Sequence, residues 1–261
     1  MTLSYDRYRA EIAAQTGLLR EHVAEADLAT RVPSCPGWNL AELLGHVGGA
    51  HRWAETAVRT RSTEPVPDDL VNDVAGYAGT DRATLDAWLT EGAARLTEAL
   101  RATPPDTPVW TPTENRTPMF WARRMTHETL MHRADAALAL GLPFTVAGEV
   151  ALDALDEWTE YGTYPEAVGP GDGTPSLLGP GRTLTLRATN TDAHWFIDLT
   201  GPAATRHRTT TPPPAAATAR GTLTDLLFLV YDRPLPEGRV ERTGDSALLE
   251  EWLTRARFWL G

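Results

Sequence analysis

The chain has 261 residues, a formal net charge of −11, 42% hydrophobic residues and nine tryptophans. That apolar content suffices for one large or two smaller packed domains and excludes global disorder. The acidic balance, with a pI near 5.1, disfavours nucleic acid and anionic membrane surfaces, both of which attract basic faces. No run approaches the roughly 18 apolar residues of a membrane span, and no apolar stretch follows the charged first residues, so neither a span nor a secretion signal is expected. The single cysteine, Cys35, rules out an intrachain disulfide and any cysteine-rich metal knuckle. A soluble, cytoplasmic protein is expected.

Residues from about 3 to 28 read as a first helix, with Tyr5, Tyr8, Ile12, Leu18, Leu19 and Val23 at mixed helical spacing. Val32-Pro-Ser-Cys-Pro-Gly-Trp38 breaks the pattern. Asn39, with Glu42 three residues on, forms a capping-box signature for a second helix over about 40–61. Its apolar stripe is Leu40, Leu43, Leu44, Val47 and Ala50. An acidic, proline-bearing loop spans about 62–79, and a third helix covers about 80–102 from a start at Thr80 or Asp81. A Pro/Thr-rich loop, 103–118, leads into a fourth helix over about 119–140 that stops at Gly141. Four helices joined by polar loops predict a four-helix bundle.

The second half changes character. A helix is expected from Ala147 to about Tyr161, then strands over Thr183–Thr189 and His194–Leu199. Thr209-Thr-Thr-Pro-Pro-Pro214 reads as a linker or edge, followed by a strand near Ala217–Gly221, a helix over about 223–231, a short strand at Val240 and a closing helix capped by Asp245. The fold class predicted is therefore α plus α+β: a bundle over 1–145 and a small domain with a mainly antiparallel sheet over 146–261.

The chemistry concentrates on Met125-Thr-His-Glu-Thr-Leu-Met-His132-Arg-Ala-Asp135. On a helix, residues four apart share a face, so Glu128 lies beside His132 with Asp135 one turn further, while His127 points elsewhere. Two such side chains can converge on one ion, but a third must come from another element. His46 and His51 both fall within reach of the apolar stripe of the second helix, and spacing alone does not choose between them. His22 sits among glutamates on the solvated side of the first helix, and His194 and His207 belong to the other domain.

Val32-Pro-Ser-Cys-Pro-Gly-Trp38, Leu43-Leu-Gly-His46-Val-Gly-Gly-Ala-His-Arg-Trp53 and His127-Glu-Thr-Leu-Met-His132-Arg-Ala-Asp135 together resemble the mycothiol-dependent maleylpyruvate isomerase family, within the wider DinB-like metalloprotein superfamily. The second half, with Gly221–Arg233 and Gly244–Leu253, is similar to that family's sterol-carrier-like domain. The resemblance implies a divalent metal, usually zinc, held by His46, Glu128 and His132. It implies mycothiol, a cysteinyl pseudodisaccharide of actinobacteria, as thiol cosubstrate, and a small electrophile as the other partner. The expected activity is S-transfer or cis–trans isomerisation, in a monomer or homodimer. It also brings Arg233 forward as a bidentate anchor for a substrate carboxylate, against a reading as a surface arginine paired with Asp232 or Glu237. A site for the thiol is expected in the cleft between the domains.

Asp135 has two readings, an acceptor behind His132 or a solvated helix residue. His127 and His51 are read as structural, Cys35 as structural rather than nucleophilic, and Trp38, Trp53 and Trp121 as core or pocket wall. The apolar stripe of the second domain is read as core rather than as a lipid cavity. Two other classes compete with the thiol enzyme: a hydrolase using metal-bound water with Asp135 or another carboxylate as base, and a non-enzymatic metal-stabilised binding or regulatory protein.

Overall fold

The computed structural model describes residues 2–260 other than Asp172, and only the backbone of Trp259 and Leu260. The chain divides into two compact units, Thr2–Phe144 and Thr145–Gly261. The fold is the mixed one expected from the sequence: a helical bundle, then an α+β unit with a mainly antiparallel sheet.

In the first unit, Ser4 accepts from the Arg7 amide and starts α1 (Tyr5–Val23). The helix ends at Val23 rather than near residue 28: the Ala24 and Ala26 amides turn to the Glu21 and Val23 carbonyls three residues back, and the Val23 and Ala26 carbonyls accept from the Arg82 guanidinium. The capping box forms as the sequence predicts: Asn39 Oδ1 accepts from the Glu42 amide at 3.0 Å, and Glu42 Oε2 from the Asn39 amide at 2.8 Å. It opens α2 (Leu40–Thr60). The stretch read as a plain loop contains α3 (Asp69–Asn72) and a 3₁₀ turn (Val74–Tyr77). Next come α4 (Arg82–Ala102), capped by Asp81, and α5 (Pro118–Leu140). Pro118 sits in the first turn of α5, where its missing N–H costs nothing, and Gly141 adopts the left-handed φ of 65° that ends the helix.

Helix α1 packs on α4 and α5, and α2 packs on α3, α4 and α5. The core is filled by Tyr8, Ile12, Leu43, Val47, Leu85, Leu89, Leu96 and Trp121. Three glycines let neighbours crowd α2. A Cβ on Gly45 or Gly48 would overlap the Tyr77 or Trp88 ring, and one on Gly49 would stand 2.6 Å from the Leu70 carbonyl carbon. Close approach of the 70–77 segment and of Trp88 to α2 therefore depends on these positions having no side chain.

The second unit carries α6 (Gly148–Tyr161), α7 (Pro165–Val168), β1 (Thr183–Ala188), β2 (His194–Asp198), β3 (Thr205–Thr209), β4 (Ala217–Gly221), α8 (Leu223–Val230), β5 (Glu241–Gly244) and α9 (Ser246–Arg255). Strand order is β3-β2-β1-β4-β5. The β1–β4 pair is parallel, and the other pairs are antiparallel. Leu184 pairs with Ile197 and Leu186 with Trp195, and all four are fully buried. With Leu226, Leu227 and Trp252 they form ordinary core, as expected of the apolar stripe. Asp245 accepts from the Leu248 amide at 3.0 Å and starts α9.

Strand β3 lies in a stretch where no strand was expected, and β5 begins one residue beyond Val240. Thr205-Arg-His-Arg-Thr209 has no apolar residue, so it carries no period-2 signal. Its arginines instead meet Asp156 of α6. Asp156 accepts from Arg208 at 2.8 Å, from Arg206 at 3.5 Å and from the Trp195 indole at 2.8 Å. Among the described residues, no helix is long and apolar enough to cross a membrane.

Candidate metal centre

Helices α2 and α5 bring His46, Glu128 and His132 together. Glu128 Oε1 lies 2.9 Å from His46 Nε2 and 3.0 Å from His132 Nε2. One donor atom from each residue lies within 4.8 Å of the others. The i,i+4 spacing on α5 supplies one half of the group, and α2 crosses α5 at the height that supplies the other.

Each imidazole is tied at its far nitrogen. His46 Nδ1 donates to the Val71 carbonyl at 2.8 Å, since a carbonyl can only accept. His132 Nδ1 is 2.9 Å from Asp135 Oδ2, and Asp135 is fully buried. A neutral imidazole with Nδ1–H presents a bare lone pair at Nε2. Two such lone pairs, each facing the same carboxylate oxygen at about 3 Å, are repelled by it unless positive charge lies among them. Protons on the imidazoles or one shared cation both answer that demand, so the donor set fits a divalent metal. The far-side ties are those that orient histidine ligands in metal sites.

The charges agree. Burial opposes ionisation of Glu128, but the His132 charge, hydrogen bonds from His132 and His46, and Arg124 hold its carboxyl well below the usual range. Burial also opposes protonation of His132, yet Glu128, Asp135 and Cys35 raise it well above an ordinary imidazole. Arg124, one turn before Glu128, contacts the other carboxylate oxygen, Oε2, at 2.7 Å.

The Val32–Trp38 loop covers this group. Its ends are drawn together by an Arg31–Asn39 bridge and by a hydrogen bond from the Val32 amide to the Trp38 carbonyl, with Gly37 at φ 91°. Trp38 then leans on both imidazoles, with ring centres 4.8 Å from His46 and 6.0 Å from His132. The Cys35 thiol donates to Asp135 Oδ2 at 3.4 Å.

Of the residues singled out in the sequence, His46, Glu128, His132 and Asp135 are assembled in one place. Asp135 is buried behind His132 rather than solvated. His51 is buried and bonded to Thr129 Oγ1 at 2.8 Å, and His127 is buried edge-on to Tyr8. Both lie in the bundle core, outside the convergent group. His22 departs from expectation: it is half-buried, and burial pushes its pKa down. His194 is half-buried and His207 exposed, both on strands of the second unit. Trp53 and Trp121 pack on each other, with ring centres 4.8 Å apart.

Arg233 is buried in the second unit, with Nη1 donating to the Tyr231 carbonyl at 2.7 Å. Its burial departs from the alternative of a surface arginine paired with Asp232 or Glu237, and Asp232 pairs with Arg257 at 2.9 Å. Three partners escaped the sequence reading: Val71, Arg124, and Cys35 as a partner of Asp135. Arg124 had a local signal, four residues before Glu128. Val71 reaches the site from the four-residue helix α3 and Cys35 from the Val32–Trp38 loop, both too short or irregular to carry a periodicity.

Residues 9–137 match the profile of the family described as mycothiol maleylpyruvate isomerase N-terminal domain. The structure is similar to a crystal structure of the mycothiol-dependent maleylpyruvate isomerase, at 16% identity over 93% of this chain and 95% of that one, with a TM-score of 0.65. A second crystal structure, of that enzyme with one histidine replaced by alanine, matches at 15% identity over the same shares, with a TM-score of 0.63. No curated protein sequence matches the chain. The bundle supplies the matched profile and the fold is shared along nearly the whole chain, so the chain carries the N-terminal domain of the mycothiol maleylpyruvate isomerase family.

Proposed function

We propose that the chain binds one divalent metal, zinc, through His46, Glu128 and His132, and uses it to activate mycothiol against a small electrophile. The observation that carries this reading is the convergence of three lone-pair atoms, each imidazole oriented from behind. Two imidazoles and one carboxylate suit zinc and leave a coordination position for a further ligand. A metal in that place supplies the positive charge that turns a bound thiol into a thiolate at neutral pH.

The remaining work falls to the chain. Glu128 and the two imidazoles fix the reacting centre on rigid helices. Asp135 holds His132 in the tautomer whose Nε2 can ligate. Trp38 shields one side of both imidazoles from water. Arg233 is proposed to anchor a substrate carboxylate through its guanidinium. A thiolate that adds to a conjugated double bond and leaves after rotation gives isomerisation; one that stays gives S-transfer. Both outcomes fit the site. Asp135 is occupied by His132 and Cys35, which removes it as the base of a hydrolase and favours the thiol reading. We place this activity in the cytoplasm.

The test is metal analysis with a mycothiol-dependent conjugation and isomerisation assay on wild type and His46→Ala. The expected result is one zinc per chain in the wild type, with metal and thiol-dependent turnover lost in the variant. Turnover that persists in His46→Ala with full metal would overturn the reading, as would a metal-free wild type.

A further inference from the structure

The two oxygens of Glu128 have separate employment. Oε1 faces both imidazole Nε2 atoms, at 2.9 and 3.0 Å, and Oε2 faces Arg124 Nη2 at 2.7 Å. Both side chains are largely enclosed, Arg124 retaining 11% exposure and Glu128 20%. A plain helix-stabilising pair is the bland account, but it fits poorly. The favoured order places the acid N-terminal to the base, and here the arginine comes first. An arginine beside a cation site also weakens cation binding by repulsion, so general affinity does not explain it either.

What the contact does accomplish is geometric. A carboxylate free to rotate can chelate through both oxygens, and two imidazoles with a chelating carboxylate fill four positions, the number of a closed tetrahedral site. Holding Oε2 with a guanidinium leaves Oε1 alone to face the imidazoles. We propose that Arg124 is the positioning residue that keeps Glu128 a one-oxygen donor and thereby reserves a coordination position for the thiol. This rests on the metal-binding reading above and goes beyond it by naming what keeps the site reactive.

The experiment uses the full-length chain loaded with Co(II), whose visible absorption reports coordination number and whose sulfur-to-metal charge-transfer band reports thiolate binding. Wild type, Arg124→Met and Arg124→Gln are titrated with Co(II) and then with 2-mercaptoethanol, with circular dichroism verifying the fold of each. Arg124→Lys, which keeps a donor for Oε2, serves as the rescue. The expected result is Co(II) uptake by all of them, with the charge-transfer band in the Met and Gln variants needing about tenfold or more extra thiol. Their visible bands should also change shape, and Lys should restore both properties. Unchanged spectra and thiol titration in whichever neutral variant folds would overturn the proposal. So would loss of Co(II) from the folded neutral variants, which would make Arg124 a simple affinity determinant. A wild type that takes up no Co(II) would instead defeat the metal reading itself, and this proposal with it.

Discussion

Gly49→Ala is the sharpest perturbation, because it alters a residue that touches no ligand. The new Cβ would stand 2.6 Å from the Leu70 carbonyl carbon and 3.2 Å from the Val71 amide. Ordinary carbon–carbon contact needs about 3.5 Å, and the Cβ also overlaps the Leu70 carbonyl oxygen, so the Leu70–Val71 backbone must retreat by roughly 0.9 Å or more. A shift of that size in the Val71 carbonyl stretches its 2.8 Å bond from His46 Nδ1 to about 3.7 Å, past hydrogen-bond range. His46 then loses the contact that sets its tautomer and ring angle. Loss of such a partner typically lowers metal affinity about 10- to 100-fold.

Global stability should move less. Overpacking costs about 1–3 kcal/mol, but alanine returns about 1 kcal/mol of helix propensity. The assay is chelator competition for zinc beside thermal unfolding of the metal-free chain. Gly17→Ala on α1 is the control: nothing lies within 4 Å of its Cβ, so it should stabilise by about 0.5–1 kcal/mol and leave metal affinity unchanged. Wild-type metal affinity in Gly49→Ala would refute the claim that this close approach orients His46.

Asp135→Asn should lower zinc affinity about 10- to 100-fold with little change in secondary structure, since an amide is a weaker acceptor for His132 Nδ1–H; chelator competition checks this, and an unchanged constant counts against Asp135 as the orienting group. Burial lowers the pKa of His51 to about 4 from 6.5. A histidine held neutral in the fold contributes stability above the unfolded pKa, and that stability is lost as pH falls from about 6.5 toward 4, about 3 kcal/mol in all. His51→Gln should flatten this part of the stability–pH curve, and an unchanged slope would show that another group carries it. In the second unit, Asp156→Ala should cost about 2–4 kcal/mol, because it strands a buried indole N–H and the Arg208 guanidinium and leaves Arg206 with Glu160 alone. That figure is discounted from the fully buried case, since both arginine side chains keep 23% exposure. A denaturant midpoint close to wild type would refute it.

Legibility followed the range of the interaction. Glu128 and His132 were readable because an i,i+4 relation is fixed by helix geometry alone, and the Asn39/Glu42 box and the Gly141 stop were readable for the same local reason. His46 and His51 could not be separated by spacing, and the structure shows why: both face α5, His46 meeting Glu128 and His51 meeting the next residue, Thr129. Only the wider motif favoured His46. The ties behind the imidazoles were invisible, because Val71 lies 25 residues from His46 and Cys35 lies 100 from Asp135, each on a stretch with no periodicity to decode. Strand β3 was missed because its residues answer to Asp156 rather than to an apolar core, and pattern reading senses only the latter.

In the proposed metal site, the same ties would bear on which fourth ligand is accepted. Glu128 and Asp135 each contribute one negative charge and Arg124 one positive, with both imidazoles neutral when they ligate. A divalent cation among them leaves the enclosed group with one net positive charge. A neutral ligand leaves that charge standing in a poorly solvated place, whereas an anion cancels it, and burial rewards the cancellation. The arrangement therefore favours the deprotonated form of whatever binds, beyond the pull of the metal on its own ligand. Hydroxide and thiolate satisfy this condition equally, so charge alone does not separate hydrolysis from thiol chemistry. Softness does: thiolate is the better match for a borderline-soft cation such as zinc. With Asp135 turned toward His132 and Cys35, a water in the fourth position would also lack that carboxylate as its base, whereas a thiol deprotonated by the metal needs none.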